Sequence, residues 1–251
     1  DLANRRLRHV SDAFTEDPLR ILRLAQFQAR LKGLGFRVHD LTTKLCREMV
    51  ARGDLDTLSR ERVFKELEKA LSAPHPSEFF AVLASVNALA QLFQGVELAE
   101  TKNLDGPATD TSPPSRFSQL VLENPDLDLQ GLNKQLAIPK HWLELASMTR
   151  TWAAAFCQVT TLSADAILAV LERGDARRKP ERFAQSVHIS CQSLIIDSAE
   201  QTQILGLWQR LVQETAKVSL PETASGLSGQ DIKAMIRAEQ LRRIEATCDR
   251  N

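Results

Sequence analysis

In the stretch TEDPLRILRLAQF a carboxylate and a guanidinium stand three residues apart, Asp17 and Arg20, in a segment whose apolar residues recur at helical spacing. Side chains three apart on a helix share a face. A carboxylate there accepts a hydrogen bond from an exocyclic amino group, and a guanidinium donates to a ring nitrogen or carbonyl. Together they form an edge complementary to cytosine or adenine, both of which present an amino group. Guanine and uracil would leave the carboxylate facing an acceptor, and a site with buried polar groups discriminates strongly against such unpaired partners. The spacing permits a protein template for C and A; pattern alone does not establish one.

A plainer account of the same residues stands beside it. Asp17 fits a helix N-cap and Pro18 the first helical position. That leaves Arg20 and Arg23 unexplained, because the positive end of the helix dipole disfavours cations in the first turns. Ion pairs to Glu61, Glu66 or Glu68 would employ them, but exposed pairs contribute only about 0–1 kcal/mol. Arg30, farther along, has no assigned role.

Other chemistry finds little support. Cys46, Cys157, Cys191 and Cys248 are widely separated, with no CxxC or Cys/His spacing, so free thiols in a reducing, cytoplasmic setting are expected and a metal site is not. The His39-Asp40 doublet has no second histidine nearby, and Asp40 reads as a helix cap. No Gly-rich phosphate loop, HExxH or nucleophile elbow occurs. No apolar run approaches the ~18 residues of a membrane span. Net charge is zero, yet residues 1–70 carry +4 and residues 71–135 carry −5, a basic N-terminal third compatible with an anionic ligand.

The elements that must position these residues read as helices. The pattern predicts helices from about Asp17 to Lys32, Asp40 to Ala51, Ser59 (as cap) to Leu71, and Ser77 to Ala90. A structureless loop rich in acids and prolines follows at about 95–115. Helices resume near Arg116–Glu123, Leu129–Ala137, His141–Phe156, Ser163–Glu172, Pro180–Ile195, Ala199–Val218 and Gln230–Ala246. Nothing alternates long enough to be a strand, so the fold class is all-α.

With these elements in place, DLANRRLRHVSDAFTEDPLRILRLAQF closely resembles the segment after the catalytic head of class II (bacterial) CCA-adding tRNA nucleotidyltransferases, whose signature there has the form DLxxRxLRHVSxAFxEDPLRxLRxARF. GLGFRVHDLTTKL, LDTLSRERVFKELEKAL and SEFFAVLASVNALAQLF match the elements that follow. LERGDARRKPERF and GLSGQDIKAMIRAEQLRRIEA resemble tail segments of the gammaproteobacterial branch. The resemblance implies an elongated helical array: a neck over 1–73, a body over 74–158 interrupted by the loop, and a tRNA-binding tail over 159–251. It implies addition of C, C and A to tRNA 3′ ends from CTP and ATP. Asp17 and Arg20 would pair with the incoming base, Arg23 would approach the nucleotide or brace the template, and Glu16 would orient the pair. Gln26 stands where the family usually has a third Arg, which puts one nucleotide contact in doubt. Arg5, Arg6, Arg177, Arg178 and Lys179 are candidates for RNA backbone contact. The expected partners are the tRNA acceptor end, CTP and ATP, with neither DNA nor membrane.

Mg²⁺ in this family belongs to an Asp-x-Asp head. No head motif precedes Asp1, so the chain by itself is expected to be inactive. Phosphohydrolase activity is not expected either, because the region after the neck lacks the His-Asp pattern of that domain. A poly(A) polymerase of the same family ranks lower, since LRHVSDAF and LSRERVFKELEKAL fit the CCA-adding pattern better. A headless RNA-binding or interaction protein is the non-enzymatic alternative.

Overall fold

The computed structural model describes residues 1–97, 99–105, 112–194, 197–218 and 228–249. These form two compact units, Asp1–Ala146 and Ser147–Asn251. The first contains α1 (Leu19–Leu31), α2 (Asp40–Ala51), α3 (Arg60–Leu71), α4 (Ser77–Ser85), α5 (Leu89–Leu92), α6 (Pro113–Glu123) and α7 (Leu129–Leu136). α8 (Lys140–Cys157) begins in it and continues into the second, followed by α9 (Ala164–Arg173), α10 (Pro180–Ser193), α11 (Ser198–Ala216) and α12 (Gly229–Cys248). The all-α expectation holds.

α1 is the axis of the first unit and packs against α3 and α4. Leu19, Ile21, Leu22, Leu24, Ala25 and Ala29 are buried, whereas Arg23 and Arg30 are exposed. Burying each large apolar side chain contributes roughly 1.5–3 kcal/mol, so α1 is fixed by its neighbours more than by its own propensity. Around it, Phe79, Phe80 and Phe93 meet edge to face at 5.4–5.9 Å, and Trp142 meets Phe64 edge to face at 5.0 Å and Phe117 at a tilt at 5.6 Å.

Several local expectations need correction. The cap of α2 is His39, whose Nδ1 accepts from the Leu41 amide at 3.2 Å; Asp40 is the first helical residue, where its charge suits the dipole. Ser59 occupies the N-cap of α3, and its carbonyl, not its hydroxyl, accepts from Arg62 and Val63. The helix expected from Ser77 to Ala90 ends at Ser85, because Asn87 takes a left-handed conformation (φ 62°) that no α-helix accommodates; α5 restarts beyond it. α6 starts at Pro113, three residues before the expected Arg116, with the Ser112 hydroxyl as cap and proline at the first helical position.

The loop expected at 95–115 lies partly outside the described residues, but residues 99–104 form a 3₁₀ turn with Thr101 and Leu104 buried. Asp105 then reaches across to Ser77, accepting from its amide at 2.9 Å and its hydroxyl at 2.7 Å. A residue 28 positions away thus serves one orphan amide at the start of α4.

Arg116 on α6 does the converse at the end of α3. Its guanidinium is buried and donates to the carbonyls of Leu71 and Ala73, both at 2.6 Å. Burial lowers its pKa, opposed by the charge of Asp105; an arginine there remains protonated.

In the second unit, Phe156, Phe183 and Trp208 meet nearly at right angles with centroids 5.3–5.8 Å apart, and the Trp208 indole donates to the Phe156 carbonyl at 2.9 Å. α12 joins α9 and α11, aided by Arg237–Asp165 at 2.6 Å and Arg243–Glu214 at 3.5 Å.

Candidate nucleotide-recognition site

The polypeptide reaches α1 through a 3₁₀ turn over Asp12–Glu16, after which Asp17 is extended and Pro18 is helical. The helix proper begins at Leu19 with Pro18 at its N-cap, one residue later than the Asp-Pro pair suggested, but the Asp17 carboxylate accepts from the Leu19 amide at 3.1 Å. Its second oxygen accepts from Arg62 Nη2 of α3 at 2.8 Å. The carboxylate is therefore fixed from two sides. A carboxylate offers about four lone-pair sites, so further acceptor capacity remains for a ligand.

Arg20 lies one turn on. Its guanidinium turns back against the chain and donates to the Ala13 carbonyl, which places a cation beside the first turn of α1 by tying it to the preceding 3₁₀ segment. Arg23 approaches Glu66 of α3 at 3.9 Å. Of the three carboxylates weighed as partners, Glu66 is the one in reach, but it is bonded more closely by Lys69 at 2.7 Å. Glu66 is almost fully buried, whereas half of the Arg23 side chain is exposed.

Opposite this end of α1 run the first residues of the chain. β1 (Arg6–Leu7) pairs in parallel with β2 (Arg37–Val38), the segment that follows α1. The Arg37 amide donates to the Arg5 carbonyl and the His39 amide to the Leu7 carbonyl, both at 3.0 Å. His9 is anchored by Thr42 of α2, whose hydroxyl accepts from the His9 amide at 3.1 Å and lies 2.9 Å from its ring Nδ1. The result is a cleft of about 470 Å³ between the N-terminal strand and α1. Arg6, Arg8, Arg20 and Arg23 line it together with Phe14 and Phe27, and of these the Arg8 guanidinium is paired with Asp1 at 3.1 Å.

The structure thus gathers Arg20, Arg23 and Arg6 in one cleft and sets Asp17 at its helix start without a hydrogen bond between Asp17 and Arg20. Glu16 is exposed at the end of the 3₁₀ turn, and Gln26 is half-buried on α1. Arg5 is exposed, in a left-handed conformation (φ 51°) just before β1. Arg177, Arg178 and Lys179 are exposed between α9 and α10 in the second unit, where Arg178 pairs with Asp175 at 2.8 Å. The hydrogen bond from Arg178 holds the Asp175 carboxyl below its ordinary range.

Sequence reasoning missed Arg62, Arg8, His9 and Phe27. Arg62 lies in the ERVFKELEKAL helix, and its position one turn inside α3 carries no local sign that it faces Asp17. Arg8 and His9 sit in the quoted LRHVS segment, and no local signal marks them, because the two-residue pairing that places them does not show in the sequence. Among the described residues no group of three or more His, Cys, Asp or Glu side chains is placed to hold a metal ion, and no helix is long and apolar enough to cross a membrane.

Comparison with known proteins bears on the family and the fold. Residues 35–99 match the family model described as "Probable RNA and SrmB- binding site of polymerase A". A multifunctional CCA protein of Pseudomonas putida is 35% identical over 98% of this chain and 68% of its own length. A CCA-adding enzyme solved with CTP matches the fold with a TM-score of 0.63 at 16% identity, over 97% of this chain and 60% of that one. The CCA-adding enzyme of Thermotoga maritima, solved in complex with tRNA, matches with a TM-score of 0.61 at 15% identity, over 100% of this chain and 64% of that one. The chain therefore spans about two thirds of the curated relative and less than two thirds of the solved chains. An identity of 35% sustained across nearly the whole chain, on this helical framework, establishes that the chain belongs to the family of CCA-adding enzymes.

Proposed function

We propose that these residues form the nucleotide-selecting and tRNA-binding portion of an enzyme that adds C, C and A to tRNA 3′ ends from CTP and ATP. The observation that carries this reading is the cleft at the start of α1, where Arg20 and Arg23 line a cavity of nucleotide size and Arg62 fixes the neighbouring carboxylate of Asp17. Asp17 accepts the exocyclic amino proton of cytosine or adenine, and Arg20, released from the Ala13 carbonyl, donates to the adjacent ring nitrogen or carbonyl. Both bases satisfy this edge; guanine and uracil leave Asp17 unpaired. The remaining guanidinium groups of the cleft suit the phosphates of a bound nucleotide.

Arg62 acts here as the positioning group: its bond to one Asp17 oxygen, with the Leu19 amide on the other, leaves the carboxylate one orientation. In this role it supplements Glu16. Arg23 braces the site from the side of Glu66, and Gln26, one residue before Phe27, offers a neutral amide where a third cation would otherwise bear on the nucleotide. The tRNA acceptor arm is held through backbone charge and shape, as A-form RNA usually is, with Arg5, Arg6, Arg177, Arg178 and Lys179 as contacts. The family-model match over 35–99 supports an RNA surface in the first unit. Nucleotidyl transfer with Mg²⁺ belongs in this reading to the family's Asp-x-Asp head; the side chains described here select and hold, and alone are expected to bind without transferring. A substrate set of tRNA, CTP and ATP assigns the protein to the cytoplasm.

The test is Arg20→Ala in the whole protein. Loss of a charged hydrogen bond of about 1.5–3 kcal/mol lowers kcat/KM for CTP and ATP together by about 10- to 150-fold. Unchanged incorporation of both nucleotides would overturn the assignment.

A further inference from the structure

We infer that Cys157 and Cys191 are a peroxide-responsive thiol pair that closes to an intramolecular disulfide within the second unit. Cys157 is the last residue of α8 and Cys191 lies on the inner face of α10, and their sulfur atoms are 3.8 Å apart. A disulfide needs about 2.05 Å, so the two sulfurs, already in contact, must approach by about 1.8 Å in total. Both thiols belong to the core around Phe156, Phe183 and Trp208, which holds the two helices in register. Among the described residues no such sulfur–sulfur hydrogen bond is formed by Cys46, buried in the first unit, or by Cys248 at the end of α12.

The two partners are chemically unequal. Cys157 is partly accessible, whereas Cys191 is fully buried. The hydrogen bond between them lowers the Cys157 pKa, against burial and the Glu200 carboxylate; the same bond, and then burial, raise that of Cys191. The thiolate is the reactive form, so Cys157 is the residue to be oxidised first and Cys191 the one that resolves it. The Cys157 thiolate attacks one oxygen of hydrogen peroxide, the O–O bond breaks, and hydroxide leaves to take up a proton as water. The Cys157 sulfenic acid is then attacked by Cys191, the S–O bond breaks, and its oxygen departs as a second water with the Cys191 proton. Two thiols and one peroxide give one disulfide and two waters. Reduction by a dithiol reverses the change.

Closure would join positions 34 residues apart and so restrict the unfolded chain. The proposed role of the protein does not require it; its effect is to make the stability of the second unit depend on oxidation.

The full 251-residue chain is treated with a modest excess of hydrogen peroxide, quenched with catalase and alkylated under denaturing conditions. Reactive thiols are expected to fall from four to two. Mass spectrometry without reductant should show one linked peptide pair containing Cys157 and Cys191, and the thermal midpoint should rise by several degrees and return on treatment with dithiothreitol. Cys46→Ser and Cys248→Ser should leave the response intact, and Cys191→Ser should abolish it while exposing the Cys157 sulfenic acid to dimedone. Cys157 sulfinic acid in place of the linked peptide, or a disulfide between two chains, would overturn the inference. So would four thiols still free after oxidant that titrates them once the chain is unfolded.

Discussion

Replacing Arg116 by methionine puts a price on the tie between α6 and the end of α3. The guanidinium is 1% exposed and donates to two carbonyls, Leu71 and Ala73, each at 2.6 Å. The Leu71 carbonyl is an orphan acceptor at the end of α3, and Ala73 lies two residues beyond it. A hydrogen bond to a charged group contributes about 1.5–3 kcal/mol, and an unsatisfied buried acceptor costs about 1–3 kcal/mol. Methionine nearly matches the aliphatic stem, so the packing loss is small. Against this stands the cost of having buried a cation, which the substitution relieves. Two carbonyls left without a donor outweigh that relief in part, and the expected net loss is about 2–4 kcal/mol. Arg178→Met supplies the control, because its arginine side chain is 84% exposed and solvent screens its pair with Asp175. The assay is urea unfolding with hydrogen–deuterium exchange read over α3 and α6, which separates the first unit from the second. A midpoint for Arg116→Met as close to the parent as that of Arg178→Met would refute the reasoning, and would mean that water serves both carbonyls.

Arg62→Met should cost less than about 1 kcal/mol of stability, since both members of the pair with Asp17 are partly exposed. It should nonetheless weaken binding of CTP and ATP, measured by calorimetry, because Asp17 loses its orientation; equal affinity in parent and variant would remove Arg62 from the site. Glu239 is held at about 2 by hydrogen bonds from Arg242 and Arg243, below its ordinary 4.5. A depressed carboxylate stabilises the fold above its unfolded pKa, and that contribution is lost as pH falls from about 4.5 towards about 2. Glu239→Gln should therefore flatten the acid limb of the stability curve of the second unit over that window, and an unchanged limb would show the carboxylate to be equally free in both states.

How far the sequence reached depended on whether the cause of a feature was local. α1 and its apolar sides were legible because Leu19, Ile21, Leu22 and Ala25 repeat with the helix and Asp-Pro announces its start. So were α9 and α10, whose Ser163 cap and Pro180 stand at their starts. The break at Asn87 was not, because a left-handed asparagine inside an apolar segment has no period to disturb. Asp105 read as one acid in a loop, yet its role is to cap a helix 28 residues away. The candidate site divides in the same way. The Asp17, Arg20 and Arg23 spacing is a property of one helix and could be seen. The partner of Asp17 sits 45 residues on, in α3, and the wall formed by Arg6, Arg8 and His9 exists only after two distant segments pair.

That pairing has a consequence for where recognition resides. Two residues on each side, too short for any propensity to specify, close the chain from Arg6 to Arg37 and turn a charged helix into one face of a cavity. Such a closure gains little by itself and opens without unfolding the helices it joins. An isolated peptide carrying α1 would keep every residue of the apparent motif and have nothing for a base to enter. In the proposed reading the choice of a nucleotide is thus a property of the long-range closure, and a substitution at Gly35, whose φ of 81° strains any L side chain, would disturb that closure without touching the motif.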